Sequence, residues 1–138
     1  MRPVMAGYSG TPLYQKLGFR PGDRVYLRNA PDAYHDWLDP LPEGVHFLQR
    51  LAGQVDVAHV FSTQRADLKA IVPKVLEKLA PGGCLWISWP KKASGIPSEI
   101  TEDTVRAIAL PLGLVDVKVC AVDEVWSGLK LVRRRRRP

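Results

Sequence analysis

The chain has 138 residues, of which 46% are apolar and 25% charged, a composition typical of one globular domain and not of a disordered protein. No stretch approaches the roughly 20 apolar residues of a membrane span, and the N-terminus lacks the basic and apolar regions of a secretory signal, so we expect a cytoplasmic protein. The formal net charge is +6, but a run of five arginines near the C-terminus supplies most of it, and the nearly balanced remainder does not indicate a basic binding face.

The first half of the chain predicts two short helices and three strands. Thr11 and Pro12 are residue types that begin helices, and Gly18 is typical of a helix end. A second short helix opens at Pro31 and ends before Pro40. Strands are predicted where apolar and β-branched residues cluster, over Val25–Asn29, Val45–Leu48 and Val55–Phe61.

The middle of the chain predicts a long helix followed by a central strand. Asp67–Leu79 carries apolar residues at helical period, with most of its charged residues off that stripe. Pro81–Gly83 predicts a turn. The run Cys84–Trp89 has no charge on either face, which is typical of a strand that is covered on both sides.

The last third predicts one more helix and a closing hairpin. Thr101 is a good helix cap, and acidic residues follow it in the first turn, where the helix dipole favours them. Strands are predicted over Val115–Val122 and Leu129–Val132, joined by a tight turn at Trp126–Gly128. A turn this short joins antiparallel neighbours.

The order α-β-α-β-β-α-β-α-β-β predicts an α/β protein, a three-layer Rossmann-like sandwich with a mostly parallel sheet of five to six strands and an antiparallel C-terminal hairpin. We expect a single domain over residues 1–132 and a basic, disordered tail over residues 133–138.

Three segments carry a resemblance to known proteins: Met5–Tyr8, Gly82–Lys91 and Asp123–Val132. Together they resemble a family of small bacterial proteins known only as a domain of unknown function. The second half of the chain also resembles class I S-adenosylmethionine-dependent methyltransferases, in which the last strand is inserted antiparallel. The resemblance implies a methyltransferase-like Rossmann fold but no activity, because none is assigned to that family.

The segments that hold the methyltransferase cofactor differ in this sequence. Binding of an adenosyl cofactor needs a glycine-rich loop after the first strand and a carboxylate after the second. Here Leu27–Asp32 contains no glycine, and Gln49 and Arg50 occupy the place of the acid. The sequence therefore predicts no cofactor, neither S-adenosylmethionine nor a nicotinamide dinucleotide bound in the usual way.

Polar residues follow the strands at the edge of the sheet where α/β proteins bind ligands. They would suit a small anionic ligand, and the alternative is that they are solvated loop residues. The residues predicted at this site are Asn29, Asp32, Ser62, Lys91 and Lys92, and Arg28 and Arg65 would extend its basic rim.

The three histidines show no metal-ligand spacing with each other or with the cysteines, so we predict no metal site. Asp32, His35 and Asp36 would share one helical face, as an acid–base cluster or, as we favour, an ordinary polar face. His59 interrupts an apolar strand and is predicted to be a satisfied core histidine.

Three other polar residues are predicted to be structural. Cys84 and Cys120 lie in apolar runs and are expected to be buried free thiols. Ser88 lies inside the central strand with no neighbouring base, so we do not expect a nucleophile there.

Two C-terminal motifs offer contacts to partners. Trp126–Gly128 is predicted to be structural, and the alternative is an exposed aromatic contact for a partner protein. The arginine run could bind nucleic acid, although no interleaved aromatic residue indicates base stacking, and we favour a solubilising end. Its members are Arg133, Arg134, Arg135, Arg136 and Arg137.

Three hypotheses follow from the sequence. The one that it favours is a non-catalytic Rossmann-like module that binds a partner protein or a small anionic ligand. The alternative is a degenerate methyltransferase-like enzyme. The third is weak association with nucleic acid through the arginine run.

Overall fold

Four α-helices and six strands make up the computed structural model, which describes residues 11–135. The helices are α1 (Leu13–Leu17), α2 (Tyr34–Leu38), α3 (Arg65–Lys78) and α4 (Glu102–Ala109). The strands are β1 (Arg24–Arg28), β2 (His46–Leu48), β3 (Val55–Phe61), β4 (Leu79–Pro90), β5 (Leu114–Ala121) and β6 (Trp126–Arg133). Short 3₁₀ turns lie at Lys92–Ser94 and Leu110–Leu112.

The six strands form one sheet in the order β2-β1-β3-β4-β6-β5. Strands β2, β1, β3 and β4 are parallel to their neighbours. Strand β6 is inserted between β4 and β5 and runs antiparallel to both. The predicted α/β fold, with a mostly parallel sheet and an antiparallel C-terminal hairpin, is confirmed.

Each face of the sheet is covered by two helices, which gives the predicted three layers. On one face, Leu68, Val72 and Val75 of α3 and Val105 of α4 belong to one buried cluster. On the other face, α1 and α2 contribute Leu13, Leu17, Tyr34 and Leu38 to a second cluster. The sheet therefore buries side chains on both sides, as the uncharged run Cys84–Trp89 indicated.

Strand β4 lies at the centre of the molecule, between β3 and β6. Its residues from Cys84 through Pro90 are all buried, and Trp86 is fully buried. The indole Nε1 of Trp86 donates a hydrogen bond to the backbone oxygen of Leu17 over 2.9 Å. That bond ties the central strand to the end of α1.

The predicted turn before the central strand is an excursion within β4. Leu79 pairs with Val55, and the next pair joins Cys84 to Val57, so the intervening residues bulge out of the ladder. Gly82 supplies a φ of 78° there.

The prediction of a tight turn at Trp126–Gly128 was wrong. These residues belong to β6, and the hairpin turn lies just before them. The Asp123 carboxylate fixes that turn by accepting hydrogen bonds from the backbone N–H groups of Val125 and Trp126, over 2.9 and 2.7 Å. Gly128 is required for space instead: a Cβ atom would lie 3.2 Å from the side chains of both Trp86 and Val122.

The ends of most elements follow the predicted signals. Thr101 caps α4 in a reciprocal capping box with Thr104. The cap of α1 is Pro12 rather than Thr11, one residue later than predicted. No helix within residues 11–135 has the length and apolar character to cross a membrane.

The two ends of the chain bear on two predictions. The Met5–Tyr8 motif lies outside the described residues, as do Arg136 and Arg137. Strand β6 extends through Arg133, so the first arginine of the run belongs to the sheet.

Candidate functional site

A cleft of about 540 Å³ lies at the carboxyl ends of β1 and β2. We call it the strand-end cleft. Its wall combines the loop that follows β1 with the end of β2. Lining residues that matter for its chemistry are Arg28, Asn29, Asp32, His35, Phe47 and Gln49.

Asn29 gives the loop after β1 its shape. Its φ is 57°, which makes it the one non-glycine residue with a left-handed backbone within residues 11–135. Asparagine tolerates this conformation better than most residues, but glycine is its usual occupant. The loop thus makes the turn that a glycine would make, although the sequence has no glycine there. This turn therefore cannot be predicted from the glycine content of the loop.

A second cavity, of about 430 Å³, lies beside the first at the carboxyl ends of β1 and β3. We call it the switch-point pocket, because the order of the strands reverses between β1 and β3 and ligands bind at such points in α/β sheets. Asn29 lines both cavities. Its side-chain amide donates to the backbone oxygen of Phe61 over 3.5 Å, between the two. The other lining residues include Ser62, Thr63, Asp67 and Trp126.

An ion pair joins the strand ends to the start of α3. The Arg28 guanidinium Nη2 lies 2.7 Å from the Asp67 carboxylate, and Ser62 Oγ donates to the same carboxylate over 3.0 Å. The hydrogen bond to Asp67, with help from Tyr26, raises the pKa of Arg28. Arg28 Nε is buried and has no hydrogen-bond partner among the described residues. Arg28 therefore keeps unused hydrogen-bonding capacity beside the strand-end cleft.

The five residues predicted to bind a ligand lie in different places. Asn29 and Asp32 line the strand-end cleft, and Ser62 lines the switch-point pocket. Lys91 and Lys92 line neither cavity. The Lys91 ammonium donates to the backbone oxygen of Asp123 over 2.9 Å, which ties the end of β4 to the β5–β6 turn.

Three polar side chains form a hydrogen-bonded chain through the core. Tyr34 Oη lies 2.8 Å from His59 Nδ1, and His59 Nε2 lies 2.7 Å from Ser88 Oγ. The prediction that His59 is a satisfied core histidine is confirmed. The expectation that Ser88 has no neighbouring base was wrong, since the two strands place His59 beside it. All three side chains are fully buried, so this serine and base have no access to a ligand.

Burial also sets the chemistry of His59. Removal from water disfavours the charged imidazolium and lowers the pKa of His59 to about 3. The Phe61 ring stacks on the imidazole with a centroid separation of 4.3 Å. His59 is therefore a neutral hydrogen-bonding group in the core.

The predicted helical face of Asp32, His35 and Asp36 does not form as described, because α2 begins at Tyr34 and Asp32 lies in the preceding loop. The His35 ring instead packs edge-on against Phe47, with centroids 4.8 Å apart. This pair gives the strand-end cleft an aromatic wall.

Both cysteines are free thiols. Cys84 is buried, and burial raises its pKa to about 11, whereas Cys120 is only partly buried. Within residues 11–135, no three or more His, Cys, Asp or Glu side chains are placed to hold a metal ion.

Trp126 contributes to the switch-point pocket rather than to a free surface contact. Its ring packs edge-on against Phe61, with centroids 5.1 Å apart. The sequence did not place it near the strand ends, because the contact depends on β6 lying beside β4.

Comparison with known proteins shows which solved structures have a similar fold. No protein-family model matches the sequence. No curated protein matches it either. The structure is similar to fibrillarin from Aeropyrum pernix with natively bound S-adenosyl-L-methionine (TM-score 0.55, 15% identity, 92% of this chain and 71% of that one).

Two further solved structures are similar. One is magnesium protoporphyrin IX methyltransferase from Synechocystis PCC 6803 with bound SAM (TM-score 0.57, 11% identity, 88% of this chain and 74% of that one). The other is TrmN from Thermus thermophilus (TM-score 0.54, 14% identity), of which this chain, over 88% of its own length, covers 47%. The chain thus spans about half of TrmN. The methyltransferase-like Rossmann fold is confirmed, and membership of the bacterial family stays a prediction.

Proposed function

We propose that this chain is a methyltransferase-like protein that binds an adenosyl ligand in the strand-end cleft. The observation that carries the proposal is the left-handed backbone of Asn29 at the carboxyl end of β1, beside a cleft of about 540 Å³. Two of the similar structures hold S-adenosylmethionine. These points favour the methyltransferase-like alternative over the non-catalytic module that the sequence alone favoured.

The residues present fit an adenosyl ligand with altered partners. The loop backbone turns at Asn29 as a glycine would turn it, so close approach of a ligand needs no rearrangement of that residue. Gln49 lies at the end of β2, where a carboxylate would bind ribose hydroxyls. Its amide can both accept and donate hydrogen bonds, but without the charge that strengthens a carboxylate's bonds.

Each wall of the cleft has a part in this proposal. The Asn29 backbone and the Gln49 amide would hold the ribose side, the Phe47 and His35 rings would pack on the base, and the Asp32 carboxylate would attract the ammonium group of S-adenosylmethionine. S-adenosylmethionine, when bound, supplies an activated methyl group. The chain's own contribution is to bind and orient the ligand at the mouth of the switch-point pocket.

Gln49→Asp should strengthen binding of adenosine and S-adenosylhomocysteine by about tenfold, because a charge-assisted hydrogen bond to ribose hydroxyls replaces a neutral one. Isothermal titration calorimetry would measure both ligands against the wild type. Gln54→Asp is the matched control, since Gln54 is an exposed glutamine at the other end of the sheet that makes the same change of charge. The proposal fails if neither the wild type nor Gln49→Asp binds either ligand.

Asn29→Gly and Asn29→Val should differ in their affinity for S-adenosylhomocysteine in the same assay. Glycine keeps the left-handed turn and removes a side chain from between the two cavities, so the affinity for S-adenosylhomocysteine should stay equal or rise. Valine is strained at φ 57°, at a cost of about 1–2 kcal/mol, and should weaken binding at least tenfold by shifting the loop. Thermal unfolding of both variants would show that they remain folded. Equal binding by the two variants would contradict a role for the loop.

A second candidate function, binding of a small anion without an adenosyl group, is favoured by Arg28. Its guanidinium lies in the cleft wall beside Asp67 and is only partly buried, so it can bind a carboxylate or phosphate. Arg28→Gln should weaken binding of citrate or inorganic phosphate about tenfold, measured by calorimetry, and should leave adenosine binding unchanged. Arg65→Gln is the control, because Arg65 is exposed and lines neither cavity. Binding of adenosine alone would reject this second candidate.

A further inference from the structure

Arg133 is held by the C-terminal end of α3. Its guanidinium donates to the backbone oxygen of Leu79 over 2.7 Å, to that of Ala80 over 3.5 Å, and also to that of Leu76. These carbonyls lie at or just beyond the helix end, where the helix dipole favours a positive charge. The first arginine of the run is therefore a structural residue of the fold and not part of a free tail.

The next two arginines, Arg134 and Arg135, follow Arg133 along the surface of the protein. The backbone N–H of Arg134 donates to the oxygen of Gly113 over 2.8 Å, which sets the direction of the chain. Arg134 and Arg135 are exposed, and with Arg133 they line a shallow cavity beside Leu76. Lys78, exposed in the last turn of α3, directly precedes Leu79, whose carbonyl Arg133 binds.

We propose that Arg134 and Arg135, positioned by Arg133, bind the phosphate backbone of nucleic acid without regard to sequence, and that Lys78 at the end of α3 adds positive charge. We call these residues the arginine surface. Two more arginines follow them in the sequence. The surface lies where β4 begins and β6 ends, at the opposite end of the sheet from the strand-end cleft, so the proposal does not depend on the adenosyl ligand.

Phosphate matches this surface better than protein carboxylates do. A duplex carries one negative charge per about 1.7 Å of its axis and releases condensed counterions when arginines neutralise it, which isolated carboxylates on a protein do not do. Guanidinium groups bind phosphate through paired hydrogen bonds. No aromatic side chain interrupts the run to stack on bases, so the contacts fix the backbone and carry no sequence information.

The test measures binding of the full chain to a fluorescently labelled DNA duplex by anisotropy, over a range of salt concentrations. Replacing both Arg134 and Arg135 with glutamine should weaken binding at least tenfold at low salt. It should also reduce the slope of log K against log salt by about 1.8, since each phosphate contact contributes about 0.9. Arg133 is kept in this variant so that the end of α3 stays intact.

A double variant, Arg50→Gln with Arg65→Gln, removes the same charge from exposed arginines elsewhere and should bind DNA as the wild type does. Equal weakening of DNA binding by the two double variants would show that net charge alone causes the effect, and it would overturn the proposal. An unchanged slope for the Arg134 and Arg135 variant would also overturn it. Competition by polyglutamate as strong as that by unlabelled DNA would assign the surface to acidic proteins instead.

Discussion

Lowering the pH from 7 to 5 should cost this protein about 2 kcal/mol of unfolding free energy through His59 alone. The folded state holds the pKa of His59 at about 3 by burial, whereas the unfolded chain has the ordinary value of about 6.5. Below pH 6.5 the unfolded chain therefore binds a proton that the folded protein does not, and stability falls as the pH falls. By pH 3 the loss reaches about 4 kcal/mol, a large part of the stability of an ordinary domain.

Urea unfolding at pH 7, 6 and 5 measures this effect in the range where most carboxylates remain ionised. The His35→Gln and His46→Gln variants should keep the same dependence, because both histidines are exposed. The His59→Gln variant should be less stable at pH 7 but should lose this dependence. Nuclear magnetic resonance of the imidazole gives a second measurement, since His59 should not titrate between pH 7 and 4. A titration midpoint near 6.5 in the folded wild type would contradict the prediction.

The elements of the fold were predictable wherever a local signal carried them. The apolar stripe of Asp67–Leu79 needs only helical periodicity, and α3 forms over Arg65–Lys78. Thr101 is a local cap and was assigned correctly. The uncharged run Cys84–Trp89 required cover on both faces, and that requirement alone placed it at the centre of the sheet.

The candidate site was harder to predict, because it depends on conformation and on pairs that are distant in sequence. Asn29 and glycine make the same turn, so counting glycines missed it. Ser88 and His59 are 29 residues apart, and only the pairing of β3 with β4 brings them together. Trp126–Gly128 contains a turn-forming glycine, but the Asp123 carboxylate fixes the turn earlier and leaves Gly128 to make room for Trp86.

The role of Lys91 was equally hard to predict from its local sequence. A lysine after a central strand suits a ligand site as well as a structural contact, and its sequence neighbours do not distinguish the two. In the structure its ammonium donates a hydrogen bond to the backbone oxygen of Asp123, in the β5–β6 turn. The polar residues that line the cavities come instead from α2, the start of α3 and the ends of β1, β2 and β3, so the site belongs to the half of the sheet where the parallel order reverses.

Trp86→Ala should lower the unfolding free energy by about 3–5 kcal/mol. Trp86 is fully buried at the centre of β4, and Gly128 leaves room for its ring, so truncation opens a cavity that its rigid strand neighbours cannot fill. The change also leaves the backbone oxygen of Leu17 without the indole donor, which should loosen α1. Urea unfolding measures the loss, and hydrogen exchange of α1 amides reports the loosening.

Trp37→Ala is the matched control for this prediction, because Trp37 is a tryptophan of the same sheet face that is only partly buried. It should cost clearly less. Trp86→Phe should fall between the two, since phenylalanine fills most of the space but cannot donate to Leu17. A cost for Trp86→Ala no greater than that for Trp37→Ala would contradict the prediction, because it would mean that Trp86 is not a main packing contact of α1 and α2.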